Sequence, residues 1–196
     1  MGDHVTKSET DSRAEPVAQQ VDLRRRRFLK TMAGAAVLGL AGAYPTLIER
    51  YIVVRTETQI TVPNLPPAFA GLRIVHLTDL HHGPLMPLSV IQDVVKRANR
   101  IPHDLTVCTG DYVHERNAAD QIEAVWPVLS QLTAPLGVAA VLGNHDHWAD
   151  TAASLRWLQA SGQGLRHRVL PLERAGQRLW LIGAGDLWED HRPLEQ

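Results

Sequence analysis

The stretch Val141-Leu142-Gly143-Asn144-His145-Asp146-His147 joins the end of an apolar run to four polar side chains that can bind metal ions. The run itself, residues 138–142, is short and continuous, which predicts a buried strand. A strand that ends in this way presents the polar residues after it at the carboxyl edge of a sheet, where α/β proteins build their sites. The stretch therefore predicts an α/β protein with a site at that edge.

Two earlier stretches repeat this pattern. The apolar run 72–77 leads into Thr78-Asp79-Leu80-His81-His82-Gly83, and the run 105–109 leads into Gly110-Asp111-Tyr112-Val113-His114. Helix-length segments separate the three junctions, so the strands are predicted to be parallel, with their carboxyl ends together. Seven of the ten histidines lie between residues 76 and 147, the span that contains these junctions.

Apolar spacing along the chain predicts the order β-β-α-β-α-β-α-β-β, which is typical of a layered α/β fold. Strands are predicted at 51–62, 72–77, 105–109, 138–142, 168–172 and 177–183, and helices at 88–100, 118–132 and 152–160. The strand at 72–77 is expected to be buried on both faces, because its apolar residues run without alternation. The last two strands are expected to form a hairpin around Arg174-Ala175-Gly176.

Composition narrows the class of protein. The 196 residues carry a net charge of -1 with a pI near 6.8, so no overall field favours a nucleic-acid partner. The single cysteine excludes an internal disulfide framework and a zinc ribbon. Cys108 lies within an apolar run, and we expect it to be a small buried hydrophobe rather than a nucleophile.

The N-terminal region, residues 1–50, differs from the predicted domain at 51–196. Residues 1–22 are polar and predicted to be disordered. The basic run Arg24–Lys30 precedes an uncharged stretch, 31–48, and this order predicts an export signal, with a short membrane anchor as the alternative. Arg25 and Arg26 resemble the twin-arginine signature, which implies the twin-arginine export machinery as a partner and a domain outside the bacterial inner membrane, free or anchored.

The side chains at the three junctions favour a particular metal chemistry. Carboxylate oxygens, an amide oxygen and imidazoles suit Mn, Fe or Zn better than Ca or Cu. Two such ions about 3.5–4 Å apart can clamp a phosphoester for hydrolysis, and one carboxylate must bridge them. An Asp directly after a Gly suits the bridging position, because a glycine lets another backbone come close.

These junctions resemble the first three motifs of the calcineurin-like metallophosphoesterases. The motifs are Asp79-Leu80-His81, Gly110-Asp111-Tyr112-Val113-His114 and Gly143-Asn144-His145-Asp146. The resemblance implies a layered β-sandwich flanked by helices, and hydrolysis of phosphodiester or pyrophosphate bonds by a water that two metal ions activate. Together with the export signal, the sequence is most similar to an exported bacterial branch, some of whose members act on phosphodiesters or on UDP-diacylglucosamine-type pyrophosphates.

The resemblance also implies a set of metal ligands. Asp79 and His81 would bind the first divalent ion, Asp111 would bridge both ions, and Asn144 would bind the second. A hydrolase with a single zinc at Asp79, His81 and Asp111 is a further alternative, although it leaves Asn144 without a role.

Three further residues are implied to act on the substrate. His145 would face the phosphate and stabilise it or protonate the leaving oxygen, and Asp146 would orient His145 and fix its tautomer. His114 lies where the family often has a polar residue near the substrate.

The apolar residues 84–88 suggest a lipid-like substrate at the mouth of the site, with core packing or a loop anchor as the alternative.

The family's later motifs are not found in this sequence. An isolated His and a Gly-His-x-His complete the metal shells in the family pattern, whereas His167 and His191 are the only histidines after His147. The sequence therefore predicts a truncated chain with an incomplete second sheet, which binds metal weakly and hydrolyses poorly. The alternative function is an inactive, membrane-tethered remnant that binds a partner or a phosphorylated ligand.

Overall fold

One long helix makes up most of the described part of the N-terminal unit. The computed structural model describes residues 14–190, apart from the side chains of residues 14–21 and 46. By contacts the chain divides into residues 1–54 and residues 55–196. Helix α1 (Ala14–Leu47) begins nine residues earlier than the polar composition suggests, because Ala, Glu and Gln are good helix formers. Residues 1–13, also predicted to be disordered, lie outside the described residues.

Much of this helix is apolar. The stretch Asp22–Tyr51 is long and apolar enough to cross a membrane by length and composition, a test that a signal sequence near the N-terminus also passes. Its apolar side chains, such as Phe28 and Leu38, are largely exposed within the unit.

The second unit is built on a parallel sheet. Its strands lie in the order β1 (Ile74–Leu77), β2 (Leu105–Cys108) and β3 (Val138–Ala140). The helices are α2 (Leu88–Arg100), α3 (Ala119–Leu129) and α4 (Asn144–Ala160). An antiparallel hairpin follows, made of β4 (Arg168–Arg174) and β5 (Gln177–Gly183). The predicted α/β fold with a small second sheet is confirmed.

Helices and hairpin cover opposite faces of the sheet. The amphipathic helix α2 buries Ile91, Val95 and Ala98, which share one face at helical spacing. Side chains from all three helices pack with Cys108 in the larger core. On the other face Leu105 packs with residues of the hairpin. Cys108 is 3% exposed, and burial raises the pKa of its thiol to about 12, so the prediction of a buried, unreactive cysteine is confirmed.

Two predictions about strands are wrong. Residues 52–62 are exposed and form no strand, because alternating β-branched residues supply only propensity and no described strand pairs with them. Strand β1 is not buried on both faces: its residues alternate, and Ile74 is 49% exposed. The helices cover Val75 and Leu77, whereas β1 is an edge strand whose opposite face is only partly covered.

Helix α4 begins earlier than predicted, at Asn144 rather than at 152. The carboxylate of Asp146, in the first turn, accepts a hydrogen bond from the Gly143 N–H and so caps the helix. The backbone leaves helical geometry at Asp150 (φ -170°, ψ 103°), where a second helical segment starts. The third motif therefore forms the first turn of a helix, instead of a loop between a strand and a later helix.

Candidate metal centre

The first two junctions are joined by backbone hydrogen bonds at the carboxyl edge of the sheet. The Asp79 N–H donates to the Gly110 carbonyl at 3.2 Å, and the His81 N–H donates to the Asp111 carbonyl at 2.9 Å. The parallel pairing of β1 with β2 thus continues beyond the strands. As a result, Asp79, His81 and Asp111 lie together, as the sequence predicted.

The second and third junctions meet through two glycines. A Cβ atom on Gly110 would lie 2.1 Å from the Gly143 nitrogen, and one on Gly143 would lie 2.2 Å from Asp111 Oδ1. Neither position has room for a larger side chain. The prediction that a glycine before Asp111 permits a close backbone approach is confirmed.

The backbone is strained at three of the predicted metal ligands. Asp79, His81 and Asp111 all have left-handed conformations, with φ of 55°, 46° and 56°. For an L-residue this conformation costs about 1–2 kcal/mol. Strain of this kind persists only where the surrounding structure holds it, and it is common at functional sites.

Three side chains converge closely enough to share a metal ion. His81 Nε2 lies 3.5 Å from Asp79 Oδ1 and 4.0 Å from Asp111 Oδ2. One ligand atom from each lies within 4.8 Å of the others. The Nδ1 atom of His81 is buried without a hydrogen-bond partner in the described part of the chain. Two carboxylates and an imidazole fit a divalent ion such as Mn, Fe or Zn.

Neighbouring groups hold the two carboxylates in place. The Thr78 hydroxyl donates to Asp79 Oδ2 at 2.6 Å. The His145 N–H, in the first turn of α4, donates to Asp111 Oδ1 at 3.0 Å. The Oδ1 atom of Asp111 therefore accepts from the start of α4, while its Oδ2 atom faces His81. The two oxygens of this carboxylate thus face different parts of the site.

The His145 ring takes its orientation from the second junction. Its Nδ1 lies 2.8 Å from the carbonyl oxygen of His114. A carbonyl oxygen only accepts, so Nδ1 carries the hydrogen and Nε2 remains available to a substrate. The two histidine rings stack with centroids 5.6 Å apart, and together with His81 they form a second group whose ligand atoms lie within 4.8 Å.

Asp146 contacts the backbone rather than the His145 ring. Its carboxylate is fully buried and accepts hydrogen bonds from the N–H groups of Asp111, Tyr112 and Gly143 at 2.8–3.0 Å. Burial raises its pKa to about 7, because the three donors only partly offset the loss of hydration. The predicted role of orienting the His145 ring falls to the His114 carbonyl, and Asp146 instead joins the second and third junctions.

The fourth predicted metal ligand is Asn144, and His167 and His191 are the only histidines that follow the third junction. Asn144 is the first residue of α4, directly before His145, and is partly buried. His167 approaches Asp190 at 3.0 Å, and His191 lies outside the described residues. In the apolar stretch 84–88, Met86 and Leu88 pack against the core while Pro84, Leu85 and Pro87 are exposed, so core packing accounts for two of the five residues.

Two further residues near His145 were not predicted from the sequence. The Trp148 ring lies 4.8 Å from the His145 ring, and the guanidinium of Arg116 lies 3.9 Å from the centre of the Trp148 ring. The spacing of His145 and Trp148, three residues apart on a helix, was a detectable signal. Arg116 has no comparable signal, because only the fold brings its loop to α4.

Comparisons with known proteins agree with this geometry. The chain is 32% identical over 145 residues to an uncharacterized metallophosphoesterase, YkuE, of Bacillus subtilis (71% of this chain, 51% of the relative). It is 30% identical over 165 residues to a transmembrane protein with metallophosphoesterase domain of Danio rerio (82% and 37%). It is 40% identical over 87 residues to the UDP-2,3-diacylglucosamine pyrophosphatase LpxG of Chlamydia trachomatis (43% and 26%).

The chain thus spans about half the length of the Bacillus relative and less of the other two. No solved structure matches it significantly. The model of one protein family, Calcineurin-like phosphoesterase, matches residues 72–195, which include all three junctions. The chain belongs to the calcineurin-like phosphoesterase family.

Proposed function

We propose that the protein hydrolyses phosphodiester or pyrophosphate bonds, with two divalent ions held by Asp79, His81, Asp111 and Asn144. The observation that carries this proposal is the convergence of the first three side chains at the carboxyl edge of the sheet. The donor atoms suit Mn, Fe or Zn. When bound, two such ions supply an activated water and neutralise charge on the phosphate.

In this proposal Asp111 is the shared ligand. Its Oδ1 atom is fixed by the His145 N–H, and its Oδ2 atom faces His81. Because the surrounding structure holds the strained backbone of these three residues, their side chains are in place before any ion arrives, so little reorganisation accompanies binding. Asn144 follows directly after Gly143, whose backbone lies close to Asp111. This proximity along the chain supports Asn144 as the fourth ligand.

His145 acts on the phosphate in this proposal. Because Nδ1 donates to the His114 carbonyl, Nε2 is the atom that contacts substrate. The protonated ring donates a hydrogen bond to a phosphate oxygen or gives its proton to the leaving oxygen. The ring of His114 stacks beside it and lies within reach of the same oxygen atoms.

The test is hydrolysis of bis-para-nitrophenyl phosphate in excess Mn²⁺. We expect His145→Gln to lower kcat by about 10²–10⁴ with a smaller change in KM, as for loss of a general acid. His103→Gln is the matched control, since His103 precedes β2 at the opposite edge of the sheet. A wild-type rate no higher than that of Mn²⁺ alone would contradict the proposal and favour an inactive remnant that binds a phosphorylated ligand.

The chemical class of the substrate remains a phosphorylated small molecule or a lipid-like one. The support for a lipid-like substrate is the similarity to LpxG, whose name specifies a diacylated sugar nucleotide. Exposed Leu85, near the first junction, is compatible with such a substrate.

We also propose that α1 exports or anchors the catalytic domain on the outer side of the bacterial inner membrane. A fluorescent protein that folds before export should reach the periplasm when fused to residues 1–55. We expect the double variant Arg25→Lys, Arg26→Lys to lose this export, and the equally charged variant Arg24→Lys, Arg27→Lys to keep it. Equal export of both double variants would contradict a twin-arginine route.

A further inference from the structure

A row of stacked side chains leads outward from His145 to Arg116. His145 and Trp148 lie three residues apart in α4 and therefore on one face of the helix. Their rings are 4.8 Å apart and tilted by 54°. The guanidinium of Arg116 lies over the Trp148 ring, 3.9 Å from its centre. The charged guanidinium of Arg116 is therefore linked through the Trp148 ring to His145, the residue proposed to contact the phosphate.

This row is fixed at several points. The Trp148 Nε1–H donates to Glu189 Oε1 at 2.6 Å, which holds the indole ring. The Asn117 N–H donates to the Trp148 carbonyl at 3.0 Å, and the His114 carbonyl accepts from His145. The loop that carries Arg116 is thus tied to α4 on both sides of that residue. Arg116 is therefore positioned by the fold, and less of its conformational entropy remains to be lost on binding.

Arg116 forms no ion pair within the described residues. Within residues 14–190, no carboxylate oxygen lies within 4.0 Å of its guanidinium. The guanidinium lies over the Trp148 ring, and none of its N–H groups donates a hydrogen bond in the described part of the chain, so its donors are available to a ligand. A planar, stacked guanidinium with free donors is suited to bidentate binding of a phosphate group.

We propose that Arg116 binds a second phosphoryl group of the substrate, beside the one that reacts, and so selects diphosphate diesters over monophosphate diesters. The inference rests on the proposed function, because it takes the reacting phosphate to lie against His145 and the metal ligands. Arg116 contacts the Trp148 ring, which in turn contacts the His145 ring. It is therefore placed to meet a neighbouring phosphoryl group instead of the reacting one.

The test compares two substrates with identical aryl groups: bis-para-nitrophenyl phosphate and the symmetrical diphosphate diester, whose monoester product is detected with a coupling phosphatase. We expect Arg116→Gln to lower kcat/KM for the diphosphate by about tenfold or more, and for the monophosphate by less than about twofold. Arg116→Lys should fall between wild type and Arg116→Gln, because an ammonium keeps the charge but not the planar fork. Arg100→Gln is the matched control, because Arg100 is the last residue of α2 and lies at the end of that helix away from residues 84–88 and the first junction.

Equal losses on both substrates, or an unchanged rate on the diphosphate, would overturn the inference. If the wild-type chain hydrolyses neither substrate, the proposed function fails. Calorimetry then tests separately whether Arg116 binds a second phosphoryl group. Titrations with inorganic pyrophosphate and orthophosphate in Mn²⁺ should then show that Arg116→Gln weakens only pyrophosphate binding. Unchanged pyrophosphate affinity, or equal weakening of both ligands, would again overturn it.

Discussion

Replacing Asp111 with Asn is expected to lower Mn²⁺-dependent kcat/KM on bis-para-nitrophenyl phosphate by at least about a thousandfold. The Asn side chain keeps the oxygen that accepts from the His145 N–H, so the junctions should stay in place. It removes the negative charge that faces His81 and that two metal ions would share. The change therefore acts on metal binding rather than on folding, and calorimetry should show a matching loss of Mn²⁺ affinity.

Asp104→Asn is the control for this result. Asp104 lies directly before β2, whereas Asp111 follows the same strand at the other edge of the sheet. Its Oδ2 atom accepts from the Arg73 N–H at 2.9 Å, a bond that the Asn oxygen can keep. We expect activity within about twofold of wild type. An Asp111→Asn protein that retains more than a tenth of the wild-type rate would argue against a shared carboxylate.

Replacing Asp146 with Ala should lower the free energy of unfolding by about 3–5 kcal/mol, because three buried backbone N–H groups lose their acceptor. Those N–H groups belong to Asp111 and Tyr112 in the second junction and to Gly143 in the third. The variant therefore loses the hydrogen bonds through which Asp146 joins these two junctions. The urea midpoint should fall while the slope of the transition stays constant.

Asp150→Ala supplies the comparison within the same helix. The Asp150 carboxylate accepts one described hydrogen bond, from the Ala153 N–H at 2.9 Å, at the start of the second helical segment. Loss of a single cap of this kind costs about 1 kcal/mol. If Asp146→Ala were no more destabilising than Asp150→Ala, the three bonds to Asp146 would not hold the junctions together.

Sequence patterns sufficed where local chemistry determines structure. The apolar spacing of 88–100 predicted the exact bounds of α2, because the residues at 91, 95 and 98 must share a face. The turn at Arg174-Ala175-Gly176 predicted the hairpin, in which Ala175 and Gly176 have positive φ. The three junctions were predictable as neighbours because parallel strands end at the same edge.

The predictions failed where a residue's role depends on a distant partner. Residues 52–62 have strand-like alternation, but no described strand pairs with them. Asp146 was expected to contact its neighbour in sequence, His145, whereas its described hydrogen bonds include the N–H groups of Asp111 and Tyr112 in a separate segment. Arg116 was overlooked because only the fold brings its loop onto Trp148.

The left-handed backbone at Asp79, His81 and Asp111 limits how far this protein can be made heat-resistant. Each position would be relaxed by glycine, which adopts positive φ without a steric penalty. Glycine, however, has no side chain to offer a metal ion. An engineering campaign that selects only for a higher melting temperature should therefore favour glycine first at His81, whose buried Nδ1 has no described hydrogen-bond partner, and so remove a proposed metal ligand, unless the selection is carried out with metal present.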